Sequence, residues 1–166
     1  DIWTTEATYA NQEGEWTEIQ LADSGYGQGQ ILVNPLHLAA MYSAFVNGGD
    51  MIEPYLRVTE DRQPTVWVEN AFTEEAAETV KNDMIQVVEQ PEGTAHGCRM
   101  EGVTLAGKTG TAEIKDSQED TDGTELGWLG ILTPDREMED SFLLMTMVQD
   151  VRDRGGSGYV VSKTME

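Results

Sequence analysis

The chain has 166 residues, 39% hydrophobic and 25% charged, with 31 acidic against 10 basic side chains and a formal net charge of −21. That length and composition suit one domain with a buried core, and they exclude two comfortable domains, compositional disorder and a bilayer-spanning run of about 18 apolar residues. A surface this acidic repels phosphate backbones, so nucleic acid is excluded as an expected partner.

The first residues, Asp1-Ile2-Trp3-Thr4-Thr5-Glu6, show neither the basic start nor the apolar stretch of a leader. Trp3, Tyr9 and Trp16 are scattered among Glu, Thr and Gln, so the first 24 residues read as an extended surface segment. Gly25, Gly27 and Gly29 alternate with Tyr26, Gln28 and Gln30, which suits a tight, closely approached loop. Asn34 has the chemistry of an N-cap and Pro35 that of a first helical position, predicting a helix over residues 35–47 that Gly48-Gly49 stops. Its apolar residues surround most of the circumference, as in a buried central helix.

Met51 to Val58 reads as an edge or bulged strand because it contains Pro54, and Thr65 to Val68 as a second short strand. Thr73 caps a further helix, with Glu74 and Glu75 at its positive end and Ala77, Val80, Met84, Val87 and Val88 forming one stripe. That helix ends near Gln90-Pro91, and a glycine-containing loop spans residues 91–102. Strand-like runs follow at Val103 to Ile114, Leu126 to Leu132 and Phe142 to Val148, separated by acidic turns that favour antiparallel pairing. Residues 155–166 begin Gly-Gly-Ser-Gly and open a last helix. The expected fold class is α+β, a mainly antiparallel sheet of three strands packed with helices.

Cys98 is alone, so no internal disulfide forms. His37 and His96 lack partners at metal-ligand spacing and read as packed or solvated side chains; no metal or cofactor is expected. Asp116 to Gly123 looks faintly like a calcium loop, but Gly127 stands where the twelfth-position glutamate is required.

The sharpest signal is Ala106-Gly107-Lys108-Thr109-Gly110-Thr111-Ala112-Glu113. Gly102, four residues, then Gly107-Lys108-Thr109 satisfies the phosphate-loop pattern literally. That pattern needs a strand before the loop and a helix after it. Here the intervening Val103-Thr104-Leu105-Ala106 alternates like a strand, and the residues after Thr109 make a poor helix start. The rival reading is the K-T-G element found with S-x-x-K and S-D-N in penicillin-recognising enzymes. In that reading Lys108 sets a positive charge beside an anionic substrate end and the attacking serine. Thr109 and Thr111 offer hydroxyls to a carboxylate, and Gly110 lets a substrate lie along the strand. A strand N–H serves as an oxyanion donor.

Other segments occur in the matching order. Ser24-Gly25-Tyr26-Gly27-Gln28-Gly29-Gln30, running into Asn34-Pro35, resembles the glycine loop and proline-capped helix of class B penicillin-binding proteins. Gly127-Trp128-Leu129-Gly130 resembles the strand after K-T-G, and Val148 to Gly156 resembles the last strand and the turn into a final helix. The likeness runs from Ala22 to about Gly158, and Ala22 to Gly29 resembles the low-affinity, methicillin-resistance type.

The resemblance implies the C-terminal part of a penicillin-binding-protein/serine β-lactamase-like fold, with residues 1–166 as part of a single transpeptidase domain. It implies a D,D-transpeptidase that cross-links D-Ala-D-Ala stem peptides of peptidoglycan through an acyl-serine, and that β-lactams acylate. Carried over by position, Lys108 and Thr111 are catalytic, and Thr109, Gly110, Thr111, Tyr26 and Gln28 bind substrate. The family works on the outer face of the bacterial membrane, tethered by an anchor. A β-lactam sensor domain, a β-lactamase and, more remotely, a phosphate-loop protein are the alternatives.

One departure is large. Ser24, Ser43, Ser117, Ser141, Ser157 and Ser162 all lack a lysine three residues on, and no S-x-N exists. Tyr9-Ala10-Asn11 mimics a Y-x-N variant but lies too near Tyr26 for the family's spacing. The expectation is therefore a chain that holds one wall of the site, needs the remainder of the domain as its partner, and is inactive alone. An acyl adduct on the isolated chain would sink that idea. Its open sheet edge also predicts dimers or swapped elements, which monodisperse monomer in light scattering would contradict.

Overall fold

A computed structural model describes residues 16–56, 63–114 and 122–166. Tyr9-Ala10-Asn11, the end of the proposed Met51 to Val58 strand and most of the acidic run from Asp116 lie outside those residues.

Where an extended segment is expected, a short helix forms: α1 spans Glu18–Ser24. Its driving force is a capping box. The Thr17 hydroxyl accepts from the Gln20 N–H while the Gln20 side chain accepts from the Thr17 N–H. Ile19 and Leu21 stay 61% exposed, so the helix buries no stripe that periodicity reveals.

Asn34 and Pro35 do start a helix. In α2, Pro35–Ser43, the Asn34 side chain accepts the Leu36 N–H at 2.9 Å. The α-helix ends at Ser43, however, and a 3-10 turn over Ala44–Val46 completes the predicted span. Gly49 stops it at φ +101°, where a Cβ would lie 2.1 Å from the Phe72 carbonyl oxygen. Only Ala40 of α2 is fully buried, so this helix is half-buried rather than central among the described residues.

The proposed long strand shortens to β1, Met51–Ile52, paired antiparallel with β2, Val66–Val68. Helix α3, Glu74–Glu89, follows the predicted Thr73 cap and ends at Gln90. Its buried stripe is Ala77, Met84 and Val88; Val80 lies at the margin, 37% exposed. A 3-10 turn, His96–Cys98, interrupts the following loop.

The main sheet has antiparallel order β3-β4-β5, made of Ala106–Ile114, Thr124–Leu132 and Leu143–Val148. Val103, expected in the first strand, makes only an isolated bridge to Met100. Register pairs Lys108 with Gly130, Thr109 with Leu129, Gly110 with Trp128 and Thr111 with Gly127. Strand alternation gives each face its own core. Leu129 and Ile131 join Val88, Ala95, Cys98, Leu105, Val151, Val160 and Val161 on one face. Ala106 and Leu132 on the other meet Met84, with Tyr42 and Phe45 packed against them. Two glycines let helices approach. A Cβ on Gly130 would sit 2.7 Å from the Tyr42 ring, and one on Gly127 2.5 Å from a Val160 methyl. Helix α4, Ser157–Thr164, therefore covers the face opposite α2. The fold is a layered α+β arrangement with β3 at one edge of its sheet.

Candidate active site at the open edge of β3

Residues 106–114 are one continuous paired strand, so Gly107-Lys108-Thr109 forms no phosphate-cradling turn and leads into no helix. That removes the phosphate-loop reading.

In an antiparallel pair the N–H and C=O of one residue face the same side, alternating along the strand. The Thr111 carbonyl accepts from Gln28 Nε2 at 3.2 Å and the Thr109 carbonyl from Lys108 Nζ at 2.5 Å. The backbone polar groups of Thr109 and Thr111 therefore point to the edge that β4 does not use.

The side chains divide between the faces. Lys108 is exposed and shares its face with Gly110, whose missing Cβ would lie 3.5 Å from that of Trp128. Thr109 and Thr111 share the opposite face but differ in burial. Thr109 is only 6% exposed, and its hydroxyl lies 2.8 Å from that of Thr94. The expected pair of hydroxyls aimed at one carboxylate thus becomes a single exposed hydroxyl on Thr111, because Thr109 sits where the loop before β3 covers the strand. The Thr111 Oγ1 accepts the Ser157 N–H at 3.2 Å. With a lone pair so used, its own proton is left to donate outward, next to the positive end of α4.

Gln28 is held in reach by its loop. Its N–H donates to the Asp23 carbonyl at 3.0 Å, and Gly27 and Gly29 adopt φ of +79° and +74°. Those angles favour glycine at these two positions of the alternating pattern, whereas Gly25 caps α1 at φ −63°. Tyr26 is 69% exposed and donates to Asp23 Oδ1 at 2.8 Å. That hydrogen bond, the slight burial, and the charges of Asp23 and Glu113 raise its phenol pKa above the ordinary value. Tyr26 therefore caps its own loop, whereas Gln28 reaches β3.

Ser157 and Thr94 carry no motif and were not legible as site neighbours; only Gly155-Gly156 before Ser157 hinted at a helix start. Gly155 and Gly156 sit at φ +97° and +61°, turning the chain so that the Ser157 N–H meets Thr111. His96 Nδ1 lies 2.9 Å from the Val88 carbonyl oxygen and the His37 ring packs 5.1 Å from that of Trp67.

The model of the penicillin binding protein transpeptidase domain matches residues 4–165. Penicillin-binding protein 3 of Bacillus subtilis is 46% identical over 147 residues, covering 89% of this chain and 22% of that protein. Peptidoglycan D,D-transpeptidase MrdA of Acinetobacter baumannii is 31% identical over 127 residues, covering 67% and 18%. The chain thus spans about a fifth of the length of these curated relatives. Among solved structures, the apo transpeptidase domain of Burkholderia pseudomallei penicillin-binding protein 3 superposes with a TM-score of 0.68 at 23% identity. That match covers 90% of this chain and 45% of the other. The fold and the extent of the family match agree: this chain belongs to the penicillin-binding-protein transpeptidase domain family.

Proposed function

We propose that residues 1–166 are the C-terminal part of a peptidoglycan D,D-transpeptidase domain and supply one wall of its site. The observation that carries this reading is the edge of β3 away from β4, where the carbonyls of Thr109 and Thr111 point outward and Lys108 Nζ curls round to the first of them, with the Thr111 hydroxyl exposed on the adjoining face. A serine from the remainder of the domain attacks the penultimate D-Ala carbonyl of a stem peptide, and the terminal D-Ala leaves with its amine protonated. An amine from a second stem then displaces the serine and forms the cross-link.

In this scheme Lys108 provides positive charge beside the substrate carboxylate and the serine. The Thr111 hydroxyl donates to that carboxylate, and the Thr111 N–H is one donor to the oxyanion. Gly110 leaves room for the chain of the substrate, and Gln28 borders it. Thr109 acts through its edge-facing backbone, its hydroxyl being engaged by Thr94. Such a protein meets stem peptides and β-lactams outside the cytoplasmic membrane; no helix among the described residues is long and apolar enough to cross one.

The test is peptide-mapped mass spectrometry of the full-length protein after penicillin treatment. The expected result is an adduct on a serine outside these residues, formed more slowly in Lys108→Ala. An adduct on a serine within 1–166, or undiminished acylation in Lys108→Ala, overturns the assignment. Adduct turnover within seconds to minutes indicates a β-lactamase instead.

A further inference from the structure

The edge of β3 that β4 does not use is covered by side chains of this chain. Both carbonyls that face outward beside Gly110 accept from side chains of this chain, that of Thr109 from Lys108 and that of Thr111 from Gln28. An edge strand with open carbonyls invites another backbone to pair with it, and proteins blunt such edges with side chains. The Lys108 contact comes from the adjacent residue and belongs to the motif itself. The Gln28 contact is different, because it crosses from a separate loop 83 positions away in sequence.

That loop is preset for the task. Tyr26, Gly27 and Gln28 N–H groups all turn back onto Asp23 and Ser24 at the end of α1, at 3.3, 3.1 and 3.0 Å. The Gly29 position leaves only 3.2 Å between a would-be Cβ and the Asp23 Cβ. The loop is therefore folded against α1, and its own contacts bring the Gln28 amide to the strand edge. The bond is a single neutral contact at an exposed site. Such a bond is weak enough to yield to a better-placed donor.

We propose that Gln28 is a displaceable plug, a specificity-determining residue that holds the Thr111 carbonyl until an incoming acyl donor offers an N–H of its own. An extended substrate that adds to β3 as a strand donates to this carbonyl through its backbone amide. It must evict the Gln28 side chain first, so Gln28 taxes every ligand that uses this carbonyl and spares those that do not. The inference rests on the transpeptidase reading, because it requires that acylating ligands lie along β3.

The test compares two probes on the full-length protein. One is a penicillin with a side-chain amide N–H; the other is the same penicillin methylated on that nitrogen. Second-order acylation rates are measured for wild type, Gln28→Ala and Gln28→Glu. Glutamate keeps the size of Gln28 but, ionised, has no proton to donate to a carbonyl. The readout is the rate for the N–H probe divided by that for the methylated probe. Both probes carry the same carboxylate, so the added charge of Gln28→Glu cancels in the ratio.

The expected result is a ratio about fivefold higher in both variants than in wild type, the effect of freeing one exposed hydrogen bond. An unchanged ratio, or a lower one, overturns the plug and makes Gln28 an ordinary loop or contact residue. If neither probe acylates the wild-type protein, the transpeptidase reading fails instead, and the two failures are distinct.

Discussion

The clearest mechanical link between the core and the site runs through Gly127, and Gly127→Ala tests it. This residue pairs with Thr111 across β3 and β4. A methyl there would lie 2.5 Å from Val160 Cγ2 and 2.7 and 3.1 Å from the two methyls of Val151. Carbon atoms in contact prefer separations of about 3.5–4.0 Å, so α4 or the turn before it must retreat by about 1 Å. Both valines are fully buried, which leaves no free direction for either side chain. Overpacking of this kind costs about 1–3 kcal/mol. With a urea dependence of about 2 kcal/mol per molar, the unfolding midpoint of the domain should fall by roughly 0.5–1.5 M with little change in slope.

The same retreat carries the Ser157 N–H away from the Thr111 hydroxyl, so penicillin acylation should slow as well. Val160→Ala removes the nearest methyl. The double variant should therefore be more stable than the sum of its parts predicts, with a coupling of about 1 kcal/mol. A Gly127→Ala midpoint within about 0.2 M of wild type, with no coupling to Val160→Ala, would refute the packing of α4 on β4 and its link to Thr111.

Two further outcomes follow from buried polar groups. Thr94 is exposed and Thr109 buried, so their shared hydrogen bond is asymmetric. Thr94→Val strands a buried hydroxyl and should cost about 1–3 kcal/mol in urea unfolding, whereas Thr109→Val leaves Thr94 to water and should cost about 1 kcal/mol or less. The opposite ranking would contradict the burial of the Thr109 side chain. Tyr42 packs under Gly130, and its burial raises the phenol pKa above the ordinary value of 10.0. A phenol whose pKa is higher in the folded state stabilises fully below the unfolded pKa. That contribution is lost as pH rises through the folded value. Unfolding measured from pH 8 to 11 should show stability falling above about pH 10, with a shallower fall in Tyr42→Phe. Identical alkaline slopes in the two proteins would remove Tyr42 from the titration.

Much of the secondary structure was legible because local chemistry sets it. Asn34-Pro35 and Thr73 start helices through side-chain caps and a fixed φ, which need no distant partner. The three runs of β3, β4 and β5 show β-rich composition bounded by acidic turns, and their antiparallel order follows from short connections. Helix α1 leaves little trace in the sequence because its apolar residues stay exposed, and only the capping box marks it. The end of α2 at Ser43 was equally hidden, since the bond from Ser43 Oγ to the Ala40 carbonyl and the packing of the 3-10 turn depend on what surrounds them.

For the site, the sequence by itself determined which residues stand at Lys108 to Thr111 and that they lie on a strand. It also marked Gly27 and Gly29 as positions needing backbone freedom. Only the tertiary structure decided which way each group faces. It buried the Thr109 hydroxyl against Thr94, left that of Thr111 exposed at the Ser157 N–H, and brought Gln28 to the Thr111 carbonyl from a loop on another element. The physical reason is that strand alternation assigns faces in pairs, whereas burial depends on which loop or helix covers each face. That covering is a product of packing between elements distant in the chain, such as α4 against β4 through the absent side chain of Gly127.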